Sequence, residues 1–177
     1  MPQSTQRAMR RKDRELSREE TLTVIRHTPH CVIATVDESG TPYATPITAV
    51  LFEGAVYFHS SGDVTGRRYQ NTLQNDKVSI VWIGRGETAA DELPKDFSVN
   101  YASAIVEGRI SLVTDEGEKK RVAKAFCLRH VPQAGEEAID KYYAAGGKYV
   151  VFWKVTIDSL SGKARNKQGY FNRILAV

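Results

Sequence analysis

Residues 56–73 read V-Y-F-H-S-S-G-D-V-T-G-R-R-Y-Q-N-T-L. Three apolar, β-favouring residues (Val56, Tyr57, Phe58) make a short strand that runs into His59 and then into Ser60, Ser61 and Gly62. The spacing predicts a helix beginning near Asp63 or Val64, with Thr65, Gly66, Arg67 and Arg68 in its first turns. The free N–H groups and positive dipole end of a helix start favour an anion. Arginine adds planar, paired bonds to phosphate oxygens. This run of hydroxyls, glycine and guanidiniums therefore suits a phosphate. The same residues also fit a plain strand, a Ser/Gly turn and a solvated helix face, because helix-start chemistry needs no ligand.

Upstream, residues 1–9 read as a frayed terminus. Ser17 and Glu20 match a capping box for a helix running to about Arg26. Residues 31–36 (C-V-I-A-T-V) have the length of a buried strand, and Asp37-Glu38-Ser39-Gly40 is a tight turn. A second strand over residues 42–51 contains Pro42 and Pro46. Pro46 has no N–H to give, so that strand must be an edge or bulged there, leaving nearby backbone groups for another partner. Residues 55–59 form the third strand. Downstream, a turn at Asn75-Asp76 precedes a strand over 77–83, and residues 84–98 read as a long polar loop. A strand over 101–113 has Gly108 as a bulge or close-approach point. A helix follows Asp115 with Val122, Ala123, Phe126, Cys127 and His130 on one face; His130 reads as a helix-end residue. A helix over 136–144 stops at Gly146-Gly147. The last strand spans 149–157, followed by Ser161-Gly162-Lys163 and a basic, acid-free tail. Hairpin-type connections predict an antiparallel sheet, and six or seven such strands usually close as a barrel.

A chain of 177 residues, 41% hydrophobic and 26% charged, has globular proportions and enough length for a real core. No apolar run approaches the roughly 18 residues of a membrane span, and the first twenty residues lack a secretory h-region. Cys31 and Cys127 lie in apolar segments without metal-ligand spacing, which suits buried, reduced thiols in the cytoplasm; a disulfide stays open. The formal charge of +4 sits entirely in residues 1–18, which hold six basic and two acidic groups. We read residues 1–15 as a basic arm and residues 16–177 as one domain. Such an arm can contact nucleic acid, but a solvated tail is the commoner outcome, and nucleic acid is not an expected partner.

The four histidines are scattered, with no H-x-x-x-H or C-x-x-C spacing, so no metal is expected. There is no G-x-S-x-G elbow, Walker loop or G-x-G-x-x-G; Gly84-Arg85-Gly86 lacks the strand–turn–helix setting of a dinucleotide site. Nothing points to a protein-borne nucleophile, so hard chemistry falls to a cofactor, and residues 59–68 suit one bearing a phosphate.

The chain resembles the pyridoxamine 5′-phosphate oxidase-like, FMN-binding split-barrel superfamily, and especially its nitroimidazole-resistance branch. The resemblance rests on M-R-R-K-D-R-E at residues 9–15, A-T-V-D-E-S-G-T-P-Y-A-T-P-I at 34–47, and Y-F-H-S-S…G-R-R at 57–68. Tyr101-Ala102-Ser103, Gly108 and Ser161-Gly162-Lys163 fall where the branch has similar residues. It implies a mainly β fold with flanking helices, a six-stranded antiparallel split β-barrel. It further implies a homodimer with FMN at the subunit interface, acting as an oxidoreductase on a small electron acceptor of nitro-aromatic type. Arg67, Arg68, Ser60 and Ser61 would hold the FMN phosphate, and His59 would lie beside the flavin as the catalytic residue. Thr45, Pro46, Ile47 and Thr48 would meet the isoalloxazine edge, Ala34 and Thr35 would line the ring, and Tyr101 would come from the partner subunit. A flavin-binding module without turnover, or haem or a deazaflavin in the same groove, are the alternatives within the resemblance. The oxidase proper has an Arg-Leu-x-Pro element near its C-terminus, where this tail reads Arg173-Ile174-Leu175-Ala176, so vitamin B6 oxidation is not implied. Arg68 stands where the branch commonly has lysine, which keeps the charge.

Overall fold

Seven antiparallel strands organise the chain: β1 (His30–Val36), β2 (Pro42–Phe52), β3 (Ala55–Ser60), β4 (Lys77–Ile83), β5 (Glu87–Ala89), β6 (Ser98–Leu112) and β7 (Val151–Arg165). Five helices flank them: α1 (Arg18–His27), α2 (Arg67–Gln74), α3 (Glu116–His130), α4 (Glu136–Ala145) and α5 (Lys167–Leu175). They come from a computed structural model that describes residues 8–84, 86–146 and 149–175. Six strands run in the order β4-β1-β2-β3-β7-β6, and β6 pairs back onto β4, which closes a barrel. The short β5 adds to the outside end of β6 through Thr88 opposite Val99.

The barrel is split between β2 and β3. Strand β2 pairs with β1 from Pro42 to Thr48, but with β3 only over its last four residues, Ala49 opposite Phe58 to Phe52 opposite Ala55. Pro46 therefore sits where one side of β2 has no strand partner, as its missing N–H requires. Beyond that point His59 and Ser60 pair with β7 alone.

Alternating residues of the strands fill the interior, among them Ile33, Val56, Phe58, Ile80, Trp82, Val106 and Val155, all essentially buried. The other face of β3 is covered too: Tyr57 packs with Val122 and Ala123 of α3 in a second apolar cluster. A strand buried on both faces reads as a continuous apolar run, which is why residues 55–58 show no alternation. Helix α1 carries the expected capping box, Ser17 accepting from the Glu20 N–H and Glu20 accepting from the Ser17 N–H. Gly108 is the expected bulge: the register slips between Glu107 and Gly108, and a Cβ there would overlap the Thr156 carbonyl.

Four expectations are corrected. Helix α2 starts at Arg67, three or four residues later than the spacing predicts, because the Asp63 carboxylate takes the N–H (2.8 Å) and hydroxyl of Thr65 and builds a turn. The stretch read as a polar loop contains β5, where backbone pairing overrides polar composition. Strand β7 runs on through Ser161-Gly162-Lys163, since Gly162 gives Thr21 of α1 room to lie against the sheet. The basic tail forms α5, packed through the buried Tyr170. At the other end, Leu16 is buried and its N–H bonds the Gly162 carbonyl at 3.0 Å, so residues just before α1 lie along β7. Gly147, half of the predicted helix stop, and residues 1–7 of the basic arm lie outside the described residues; Gly146 does cap α4.

Candidate functional site

The split opens into a cleft of about 340 Å³ lined by His30, Pro46, Ile47, Thr48, His59 and Arg68. Each comes from a different cause. Pro46, Ile47 and Thr48 belong to the part of β2 without a β3 partner. His59 follows the point where β3 leaves β2. His30 opens β1 opposite Thr48, and its Nδ1 lies 3.4 Å from the Thr48 hydroxyl. Arg68 is the second residue of α2.

Helix α2 is held in place by a buried polar link. Asn71, 3% exposed, donates to the Thr35 hydroxyl at 3.0 Å, and Thr35 donates to the Tyr43 carbonyl at 3.2 Å. Burying three polar groups is tolerated because each has a partner. The link fixes the height at which Arg67 and Arg68 leave the helix. Because the two are consecutive, they diverge by about 100° around the axis. Arg68 reaches over the Phe58 ring (5.2 Å to its centre) and donates to the Thr45 hydroxyl at 3.3 Å. It is half-buried, has no ion pair among the described residues, and burial pulls its guanidinium below the usual arginine range. Arg67 turns the other way, 3.5 Å from Asp37 and stacked on Tyr43.

Three of the four histidines gather here. His59 stands edge-on to Phe126 of α3, with ring centres 4.8 Å apart, and His130 lies 4.7 Å from the same ring. Burial lowers the pKa of His59, with the Arg68 charge adding to it. His130 is also lowered, first by burial, then by Arg129, His30 and His59. The Nε2 of His130 is buried and has no partner. Among the described residues no carboxylate lines the cleft. Cationic and protonatable groups without counter-charges make it a place for an anion or an electron-rich ring edge.

Of the residues singled out in the sequence, the fold brings Thr45, Pro46, Ile47, Thr48, His59 and Arg68 together. Ser60 is next to His59, but its hydroxyl accepts from the Trp153 indole at 2.9 Å and donates to the Ser61 carbonyl; Ser61 is exposed. Ala34 is half-buried, whereas Thr35 is fully buried with its hydroxyl committed to Asn71 and Tyr43. Tyr101 pairs with Arg165 at the end of β7 remote from β3. The residues that sequence reasoning missed are His30, Asn71, Phe126 and the placement of His130. Only Asn71 left a signal, a polar residue four positions after Arg67 on the face that α2 buries. Among the described residues no group of three His, Cys, Asp or Glu side chains could hold a metal, and no helix is long and apolar enough to cross a membrane.

A sequence profile described as pyridoxamine 5′-phosphate oxidase matches residues 17–164. No curated protein sequence matches the chain. Among solved structures, a candidate 5-nitroimidazole antibiotic resistance protein from Bacteroides thetaiotaomicron is similar at 19% identity and TM-score 0.71, over 84% of this chain and 85% of that one. An FAD- and haem-binding protein from Mycobacterium smegmatis aligns at 16% identity and TM-score 0.69, over 85% of this chain and 72% of its own. A flavocytochrome from Azotobacter vinelandii aligns at 18% identity and TM-score 0.67, over 85% and 68%. At these identities the likeness is one of fold.

Proposed function

The chain belongs to the pyridoxamine 5′-phosphate oxidase family, and on that premise we propose that it is an FMN-dependent oxidoreductase acting on a small organic electron acceptor of nitro-aromatic type. The observation that carries this reading is Arg68, a half-buried guanidinium without a carboxylate, facing a β2 edge that Pro46 keeps out of the ladder. A partly desolvated charge without a counter-charge is costly, and a phosphate would relieve it.

The residues present fit the cofactor. Arg68 and the first N–H groups of α2 would bind its phosphate, with Ser61 and Arg67 in reserve once Arg67 leaves Asp37. Backbone groups of Pro46, Ile47 and Thr48 would meet the ring edge. Bound FMN supplies two-electron chemistry that no side chain here can provide. With a reduced nicotinamide as donor, a nitro group taking two electrons and two protons becomes a nitroso group and water. His59, kept neutral by burial and by Arg68, can hold or move a proton at its ring nitrogens near neutral pH.

The assembly we propose is a homodimer. Ile83, Leu93, Phe97, Val99 and Ile105 are exposed apolar residues around β4, β5 and β6 and would be covered by a second copy. Tyr101 lies on the same strand, where it could reach a partner's cleft. The histidines around the cleft favour a second reading, haem in the same groove.

Absorbance spectra of the purified protein, alone and titrated with FMN or haemin, decide between them. A band near 450 nm with 1:1 uptake of FMN supports the flavin reading, and a Soret band supports haem. A colourless protein that takes up neither overturns both. Bound FMN that no acceptor reoxidises faster than free flavin would leave a binding module without turnover.

A further inference from the structure

Beside the cleft, His59 also borders a small cavity of about 50 Å³ under Phe126, closed by Phe152 of β7 and by Cys127 and Tyr142. The latter two residues are shared with a larger groove of about 290 Å³ between α3 and α4, which Val131 and Ile139 line. The three spaces thus form a series, from the cationic cleft through His59 to a wholly apolar groove. Its chemistry is selective. Among the described residues, the groups in the groove able to ionise are the Cys127 thiol, which burial pushes up, and the Tyr142 hydroxyl. Val131 is 43% exposed and Tyr142 52% exposed, although both belong to an apolar wall.

From this series we infer that the α3–α4 groove holds the apolar body of the electron acceptor while its reducible head lies at His59. This rests on the flavin reading and adds the substrate class: an aromatic compound with an alkyl or second-ring substituent and no charge on that side. A cavity of about 150 Å³ is enough for benzene, so the groove has room for a ring with a short chain. Ionised substituents would be rejected, since nothing in the wall can pair with them. The head, by contrast, meets His59 and His30, whose ring nitrogens suit the oxygens of a nitro group, while Arg68 stays with the phosphate. Phe126 lines the small cavity through which cleft and groove are joined by shared wall residues, so its ring lies on the path from head to body.

The test uses the full chain and a series from nitrobenzene to 4-butylnitrobenzene. Displacement of the uncharged probe N-phenyl-1-naphthylamine from flavin-free protein reads groove binding without any turnover. Affinity should rise by up to about fourfold per methylene, and Ala138→Trp or Ala134→Trp, which fill the groove from α4 or from the turn before it, should flatten the series. FMN affinity and melting temperature should be unchanged in both variants. The same series should set how fast dithionite-reduced, FMN-loaded protein is reoxidised. An affinity independent of chain length, or a series unaffected by either tryptophan, overturns the inference while leaving FMN binding intact. Failure of the wild-type chain to bind FMN, with groove binding preserved, would instead overturn the flavin reading.

Discussion

Helix α3 meets strand β3 at two ends that are equipped in opposite ways. Near its start, Glu118 accepts from the Tyr57 hydroxyl at 2.8 Å and from Lys154 at 2.9 Å, so three polar side chains satisfy one another over the second apolar cluster. Near its end, Phe126 carries His59 and His130 on its flanks, His130 has a buried nitrogen without a partner, and Arg68 across the cleft has no carboxylate partner among the described residues. Tyr57 and His59 are two residues apart on one face of one strand, so the contrast is not one of fold. It separates polar groups that satisfy one another from polar groups left without a counterpart among the described residues, the set that the proposed function assigns to a ligand. The fold's stability should depend on the first set, and binding on the second.

The largest effect should come from Arg68→Ala. If the guanidinium binds phosphate, FMN affinity falls about 10- to 100-fold, the equivalent of about 1.5–3 kcal/mol for a charge-assisted bond. Quenching of flavin fluorescence on titration measures it. The melting temperature of the flavin-free protein should hold or rise, because the substitution removes a half-buried charge. A variant that melts early and binds FMN normally would invert the comparison.

Glu118→Ala should do the reverse. It leaves the Tyr57 hydroxyl, on a residue 1% exposed, and the Lys154 ammonium without their acceptor. The expected cost is about 1–3 kcal/mol of folding stability, read from urea unfolding at constant slope, with FMN affinity unchanged. Loss of FMN binding without loss of stability would show that the two ends of α3 are coupled.

Acid should act through the unsatisfied end. Burial lowers the pKa of His59 and of His130 below the ordinary value of 6.5. Above that value both folded and unfolded chains hold these rings neutral, and the stability they allow is fully present. As pH falls below 6.5 the unfolded chain takes up protons that the folded chain refuses, so stability declines until the folded pKa values are passed. Thermal melts from pH 7.5 to 5 should show this, and His130→Phe should flatten part of the slope. In Arg68→Ala the His59 resonance should titrate at higher pH, though still below 6.5, since burial is the larger cause. A His59 titration that does not move would place Arg68 farther from it than the cleft geometry has it.

How far the sequence discloses all this depends on whether the signal is local. The capping box of Ser17 and Glu20, the bulge at Gly108 and the broken ladder at Pro46 rest on single residues with strong backbone preferences, and the structure has all three. The start of α2 is less legible, because Asp63 bonds Thr65 and imitates the first turn of a helix. Gly162 reads as lying beyond the last strand, yet it is inside β7, where its missing side chain leaves room for Thr21, 141 positions away in the chain. The site is legible to the same degree. His59 and Arg68 lie close in sequence, whereas His30 and Phe126 join them only through the strand pairing and the packing of α3. The adjacency of Arg67 and Arg68 hides that they face apart.

That divergence gives the smallest and most discriminating effect. Arg67 is exposed and shares its guanidinium between Asp37 and the Tyr43 ring, so Arg67→Ala alone should weaken FMN binding less than about fivefold, in the range of surface ion pairs. Asp37 does not depend on it: the Ser39 hydroxyl and the Thr41 N–H hold that carboxyl below the usual carboxylate range, and Arg67 is the least of the causes. Asp37→Asn therefore frees Arg67 at some cost to its own turn. If Arg67 turns to the phosphate when released, Asp37→Asn binds FMN more tightly than the wild type, and adding Arg67→Ala cancels the gain. If the two substitutions are simply additive, Arg67 never joins the phosphate, and Arg68 alone supplies the side-chain charge at the helix start.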